Sequence, residues 1–389
     1  MYVPHLVHIA KTFWKYPTHA GHLVRNKIKS HHRYSWALKN PDKDGQVPPP
    51  LTYKLYLNQA CDLRCPMCFL WGETGIYTSG DKVPVPRELD WKIIEKIFQQ
   101  TSGQKPLFIL SGGEPLLYSR FKHLAGLLKE SRSCAYICTN GGHIDKHLDV
   151  IEGNPYLIFY ISLDGTKETN ALLRGRGVYD KVVNNIKKLK SLRPGPYVGI
   201  QFTLQPENVN VLYDTCREMV GLGVDWILIN LRWNVSERQA RDYEKQLQED
   251  FGVKAWNQQG YVTASYAVDT KEFMVQCARI KAARWPIYIS SYLRKPEDLD
   301  AYINDEYKNP YNNFCYKQWA RMDVLSDGQV TPCMPYPDLR FDSLADKSIM
   351  EIWNGEPYRK FRQYRRKKSF SVCSKCDCLY LYDKERSRL

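Results

Sequence analysis

The chain has 389 residues, of which 43% are apolar and 25% charged, with a formal net charge of +14. That composition suits one large domain plus a smaller one around a sizeable core. No stretch approaches the roughly 18 uncharged apolar residues that a membrane-crossing helix needs, and the N-terminus lacks the compact apolar core of a secretory signal.

The surplus charge is uneven. Residues 1–41 carry seven Lys or Arg and no Asp or Glu, and Arg359 to Lys368 carries seven basic residues in ten. Such patches suit anionic lipid, nucleic acid or phosphorylated substrates. The second block reads more simply as a solvated face. Twelve cysteines in tight clusters point to metal ligands in a reducing cytoplasm rather than to a disulfide framework.

Residues 1–38 read as one or two amphipathic helices, with Val3, Leu6, Val7, Ala10 and Phe13 at helical spacing and Pro17 interrupting the pattern. A basic helix bearing Trp14 can lie peripherally on an anionic membrane. It can equally clamp onto its own domain, which is the expected outcome. Six of the nine histidines fall here (His5, His8, His19, His22, His31 and His32), with no cysteine or carboxylate among them to complete a zinc site. Residues 40–50, ending in three prolines, read as a linker.

From Leu51 the pattern alternates strands and helices. Strands are predicted at Thr52–Leu57, Leu107–Leu110, Ala135–Thr139, Leu157–Leu163, Val198–Leu204 and Trp226–Leu231. Helices are predicted at Trp91–Gln100, Phe121–Arg132, Ile144–Ile151, Tyr179–Leu192 and Val209–Leu222. Six β/α units imply parallel strands with right-handed crossovers, and they are too few for a closed eight-fold barrel. In such architectures ligands bind at the C-terminal ends of the strands.

Every polar motif falls at such an end. Cys61, Cys65 and Cys68, spaced C-x3-C-x2-C, follow the first strand; three thiolates on one loop can hold three corners of a [4Fe–4S] cubane and leave the fourth iron open. A zinc knuckle is the alternative, but zinc favours two C-x2-C pairs. Gly112 and Gly113 leave room for a ligand near the backbone, and Glu114 can accept from an ammonium group. Asn140 closes the third strand, and Ser162 and Asp164 the fourth. Arg174 is a candidate for pairing a carboxylate. Gln201, Gln205, Asn230 and Arg232 can face a ligand from the fifth and sixth strands. Cys134, Cys138, Cys216 and Cys277 sit in apolar patterns and read as inert core.

Residues 233–310 carry helical patterns at Ser236–Phe251 and Glu272–Arg284 and a short strand at Pro286–Ser290, with no assignable chemistry. Beyond them come Cys315, a hairpin signal at Asp327-Gly328, Cys333, a helical run from Ile349 to Asn354, and Cys373, Cys376 and Cys378. A zinc ribbon could use the same thiolates.

The three-cysteine loop, Ser111-Gly112-Gly113-Glu114-Pro115 and Ile161-Ser162-Leu163-Asp164-Gly165 together resemble the radical S-adenosylmethionine (SAM) superfamily over about residues 51–235. The resemblance implies a partial (β/α)6 barrel. It also implies that SAM chelates the open iron at Cys61, Cys65 and Cys68 and is cleaved to a 5′-deoxyadenosyl radical, with the electron coming from a reductant such as flavodoxin or ferredoxin. By the same resemblance Gly112, Gly113, Glu114, Asn140, Ser162, Asp164 and Arg174 bind SAM. The family often has an aromatic residue before the third cysteine, where adenine packs; here that position is Met67, with Phe69 beyond Cys68.

Hairpin, helix and cysteine tail resemble the auxiliary-cluster extensions called SPASM and twitch domains. They imply one auxiliary [4Fe–4S] cluster on Cys315, Cys333, Cys373 and Cys376, with Cys378 as the alternative fourth ligand. The expected units are residues 1–50 as extension and linker, 51–235 as barrel, 236–310 as a bridging cover and 311–389 as a small α+β auxiliary domain. The expected activity is an oxidative modification of a small molecule, sugar or lipid-linked compound, and no residue identifies its general base. A peptide- or protein-modifying maturase is the alternative, followed by an RNA-modifying enzyme. A non-catalytic electron carrier is opposed by the three-cysteine loop.

Overall fold

The architecture is described from a computed structural model covering residues 12–78, 88–263, 266–307 and 314–376. Helix α1 (Pro17–Lys39) starts with Pro17 in its first turn, where the missing N–H costs nothing. The periodic residues Val3 to Ala10, like His5, His8 and Cys378, lie outside the described residues.

The barrel unit then runs β1 (Thr52–Asn58), α2 (Trp91–Gln100), β2 (Leu107–Gly112), α3 (Phe121–Ser131), β3 (Ala135–Thr139), α4 (Leu148–Ile151), β4 (Leu157–Ser162), α5 (Lys167–Arg174), α6 (Val178–Ser191), β5 (Tyr197–Leu204), α7 (Leu212–Gly221) and β6 (Trp226–Leu231). All six predicted strands are present within a residue or two of their expected ends. The strands read as continuous apolar runs because helices cover their outer face. Helix α2 shows the reciprocal pattern: Ile93, Ile94, Ile97 and Phe98 form one buried stripe, and the Asp90 side chain caps its first turn. Helix α5 was not predicted. It is only two turns long, and its purpose is positional, since its last residue is Arg174.

After β6 come α8 (Glu237–Phe251), α9 (Thr270–Ala283), β7 (Tyr288–Ser291), α10 (Asp298–Asn304), β8 (Arg321–Val324), β9 (Val330–Thr331), α11 (Ile349–Trp353) and α12 (Glu356–Lys367). The sheet is longer than the six expected strands. Its order is β7-β6-β5-β4-β3-β2-β1-β8-β9, with only the β8–β9 hairpin antiparallel. Strand β7 extends it beyond β6, and β8 pairs parallel to β1 with Thr52 opposite Arg321 and Leu55 opposite Val324. Short strands of this kind leave little periodicity to read; Arg321-Met322-Asp323-Val324 is legible only with its partner in view. The sheet curls without closing, as a partial barrel does.

Helix α1 lies across the N-terminal ends of the strands. The Tyr16 hydroxyl donates to Asp225 just before β6 at 2.9 Å. Arg25 donates to the Lys105 carbonyl before β2, and Arg33 to the Trp319 carbonyl before β8. His19 packs on Tyr197 with ring centroids 4.3 Å apart. The helix thus clamps onto its own barrel, while its Val24 and Ile28, and Trp14 just before it, remain exposed. No helix among the described residues is long and apolar enough to cross a membrane.

The second basic block is only in part a solvated face: Arg359, Lys360, Lys367 and Lys368 are exposed, while the rest turns inward. Helix α12 buries Tyr358, Phe361, Arg362 and Arg365. The Arg362 guanidinium, 0% exposed, donates to the carbonyls of Gln318 and Asp44. Arg366 pairs with Asp44 at 2.7 Å. The charges hold the segment after α1 against the C-terminal region, and composition alone could not separate that use from solvation.

Candidate active site

The cluster loop is anchored by the strand end beside it. A Cβ on Gly112 would lie 2.3 Å from the Asn58 carbonyl oxygen, and one on Gly113 would lie 2.2 Å from that of Ala60. Gly112 also has φ of +126°. The room left by these glycines is therefore taken by the chain's own backbone: Gly113 N–H donates to Asn58 and Glu114 N–H to Ala60, at 2.9 and 2.6 Å. Gly112 also lines the barrel cavity.

Glu114 is buried and faces the protein. Its carboxylate accepts from Leu116 N–H at 3.0 Å, the Thr139 hydroxyl at 2.6 Å and Asn140 N–H at 2.7 Å. Burial pushes this carboxyl up to about 7, with those three donors pulling the other way. Asn140 continues the network by donating to Asp62, inside the cysteine loop, at 2.8 Å. His143 meets the second Asp62 oxygen at 2.8 Å. Neither Asp62 nor His143 was singled out from the sequence, because each is an ordinary polar residue until the fold joins them. Together they tie the cysteine loop to the ends of β2 and β3.

Across the loop, Arg174 forms a two-pronged pair with the fully buried Asp164, with Nε and Nη2 each 2.7 Å from Oδ2. Asp164 also accepts from Thr203 N–H at 2.7 Å. This fixes the guanidinium so that Nη1 stands 4.0 Å from the Cys65 sulfur. Burial raises the Cys65 thiol and Arg174 opposes it; burial pushes the Cys61 thiol up to about 12. Apolar burial of thiols beside one guanidinium suits sulfurs whose charge is shared with a metal cluster. Ser162 ends β4 opposite Gln201 on β5.

Inside the barrel lies a cavity of about 700 Å³. Met67 and Phe69 of the cysteine loop form part of its roof, and Phe69 stacks on Tyr261 with centroids 4.7 Å apart. Aromatic surface near the loop thus comes from Phe69 and a residue of the bridging segment, where the sequence offered no motif. Gln201, Asn230 and Arg232 line the cavity as expected. Gln205 instead lies buried behind Arg232, accepting from it at 3.3 Å. Cys134, Cys216 and Cys277 are buried core, whereas Cys138 lines the cavity.

A second, largely enclosed pocket is lined by Cys315, Cys333, Cys373 and Cys376 together with Tyr243 and Phe370. Among the described residues no three His, Cys, Asp or Glu side chains are spaced to hold a single metal ion. The buried Arg365 guanidinium sits in the field of all four thiols: burial opposes its charge, and Cys373, Cys315, Cys376 and Cys333 hold its pKa up. Gln318 donates to Cys315 at 3.6 Å. The residues present therefore fit an anionic iron–sulfur cluster.

Comparison with known proteins agrees with this geometry. The family model described as the radical SAM superfamily matches residues 55–219, and that of the SPASM iron–sulfur cluster-binding domain matches residues 315–377. The chain belongs to the radical SAM superfamily and carries a SPASM domain. The radical SAM match implies SAM and a [4Fe–4S] cluster, and the SPASM match implies auxiliary iron–sulfur clusters. Among curated relatives, pre-heme d1 synthase of Dinoroseobacter shibae is 30% identical over 43% of this chain. The match spans only 40% of that relative's length. The tungsten-containing aldehyde ferredoxin oxidoreductase cofactor-modifying protein of Pyrococcus furiosus is 22% identical over 83% of this chain and 86% of its own. The fold of Streptococcus suis SuiB bound to S-adenosylmethionine superposes with a TM-score of 0.62 at 16% identity, covering 90% of this chain and 76% of that one.

Proposed function

We propose that this radical SAM enzyme abstracts a hydrogen atom from a small molecule held in the barrel cavity, as the first step of an oxidative modification. The cavity carries the reading: about 700 Å³ is the size of a small-molecule site, and it lies between the cysteine loop and the SPASM region. In this assignment Cys61, Cys65 and Cys68 hold the SAM-cleaving cluster. When bound with SAM and supplied with an electron by flavodoxin or ferredoxin, that cluster provides a 5′-deoxyadenosyl radical.

The remaining work is positioning. Gly112 and Gly113 fix the loop root, and Glu114 with Asn140 holds Asp62, so that SAM meets a rigid collar. Arg174, oriented by Asp164, presents a guanidinium edge to the SAM carboxylate, and Ser162 adds a hydroxyl beside it. Phe69 and Tyr261 supply the aromatic surface for adenine that Met67 does not. Cys315, Cys333, Cys373 and Cys376 hold one auxiliary cluster, an electron sink suited to an oxidation.

The test is 5′-deoxyadenosine formation by the anaerobically reconstituted enzyme with reductant, SAM and fractionated extract of its own organism. Stimulation by the small-molecule fraction is expected, with loss of at least about a thousandfold in Cys65→Ala. Stimulation by the peptide fraction alone would replace the substrate assignment with a peptide maturase. No 5′-deoxyadenosine from a protein holding both clusters would overturn the reading.

A further inference from the structure

The cavity floor carries positive charge that the protein does not neutralise. Three cations converge on one buried carboxylate, Asp323 of β8. Arg321 Nε meets its Oδ1 at 2.8 Å, and Lys317 Nζ meets its Oδ2 at 2.6 Å. Met334 N–H donates to Oδ2 at 3.1 Å, so both oxygens are engaged. Lys54, opposite Asp323 in the β1–β8 register, is the third cation. Among the described residues its ammonium has no hydrogen-bond or ion-pair partner; the Tyr56 ring lies 5.8 Å away.

Lys317 lines the auxiliary pocket, where it offsets the thiols, while Lys54 and Arg321 both line the barrel cavity. Asp323 thus separates two compartments and compensates the cation of each, leaving Lys54 over. Lys54 is half-buried in the cavity wall, where it carries a charge with no counter-ion of its own. Around it the wall is aromatic: Tyr136 stands edge-on to Tyr160 at 5.1 Å, Tyr160 edge-on to Trp226 at 4.7 Å, and Trp226 stacks with Tyr288 at 6.5 Å. Higher up, the Asn230 side-chain oxygen is buried without a partner.

We propose that the substrate is a flat, unsaturated small-molecule anion whose carboxylate or phosphate seats on Lys54 beside Arg321, with its ring system against the Tyr136–Tyr160–Trp226–Tyr288 wall. Lys54 is then a specificity-determining residue, placed at the far end of the cavity from the cysteine loop. A substrate anchored there presents its opposite end to the site of radical formation. The inference rests on the barrel cavity being the substrate site of the proposed function.

Isothermal titration calorimetry on the anaerobically reconstituted enzyme tests it without reductant or turnover, so its outcome is separate from the 5′-deoxyadenosine assay. The probes are 2-naphthoate, 2-naphthyl phosphate and the neutral 2-naphthamide. At least one anionic probe is expected to bind, about 10- to 100-fold more tightly than the amide. Lys54→Met removes that advantage and Lys54→Arg restores most of it. The tighter of the two anions identifies carboxylate or phosphate. Equal binding of anion and amide, absence of binding by all three, or unchanged anion affinity in Lys54→Met overturns the proposal. Unchanged circular dichroism of Lys54→Met confirms that the loss is local.

Discussion

Arg365 is a buried cation whose guanidinium donates to the Lys368 carbonyl and faces the auxiliary pocket. It is buried on the inner face of α12, in the field of four cysteine sulfurs. Replacing it with methionine keeps most of the volume and removes the charge. We expect Arg365→Met to lose the auxiliary cluster about 10- to 100-fold more readily, with total iron falling towards half and the surviving auxiliary EPR signal shifting to lower potential. Equal iron content and an unmoved potential would show that the guanidinium is only packing. At this scale the sequence was partly legible. The cysteines announce themselves by spacing, and the structure gathers four of those expected for the auxiliary cluster around one pocket. Arg365 read as one member of a basic run, because a composition count cannot tell a buried cation from a solvated one. Asp62 and His143 were invisible for a related reason: their meaning lies in a 2.8 Å contact between distant segments.

Among the elements, α1 carries the clearest consequence for stability. His22 is buried where α1 meets the strand ends, its Nδ1 2.8 Å from the Asn26 side chain and its Nε2 3.5 Å from the Cys134 amide. Burial, with Arg25 and Lys29 adding to it, lowers its pKa from 6.5 to about 4. A depressed histidine must stay neutral in the fold. Between pH 6.5 and 4 the unfolded chain binds the extra proton, so the contribution to stability is present above pH 6.5 and lost on acidification. Amide exchange across α1, corrected for intrinsic rates, should therefore accelerate between pH 7 and 5 in the wild type. His22→Gln should show a flatter profile; identical profiles would remove His22 from the explanation. A helix on either side of Pro17 was expected, but the apolar residues of α1, Leu23, Val24 and Ile28, lie exposed, and the residues it buries are His19, Ala20, His22, Arg33 and Ala37. Apolar spacing therefore could not show which way the helix faced.

For the molecule as a whole, the critical joint is β1 against β8. Asp323 neutralises Arg321 and Lys317 at that joint, and those cations hold its carboxyl below its usual range despite complete burial. Asp323→Asn leaves two buried cations underpaired, which costs about 3–5 kcal/mol and should lower Tm by roughly 10 °C. Anaerobic scanning fluorimetry measures it, and a shift under about 2 °C would mean that the joint relaxes around the change. The six-strand barrel could be read from the sequence because each strand is a long apolar run with its own helix. Of the three further strands, β7 falls on the short strand expected at Pro286–Ser290, and the β8–β9 turn falls on Asp327-Gly328. What could not be read was that β8, four residues with two charges among them, joins the barrel sheet beside β1.

That strand order bears on how the protein is made. Strand β1 is synthesised first, yet its second neighbour, β8, lies some 270 residues later in the chain. Until the ribosome has passed Val324, the nascent barrel exposes one open backbone edge, directly below the loop that must receive iron and sulfur. An uncovered edge of that kind invites pairing with other chains. The last fifth of the polypeptide therefore covers the open edge of β1 and brings in the second set of cysteines with the same segment.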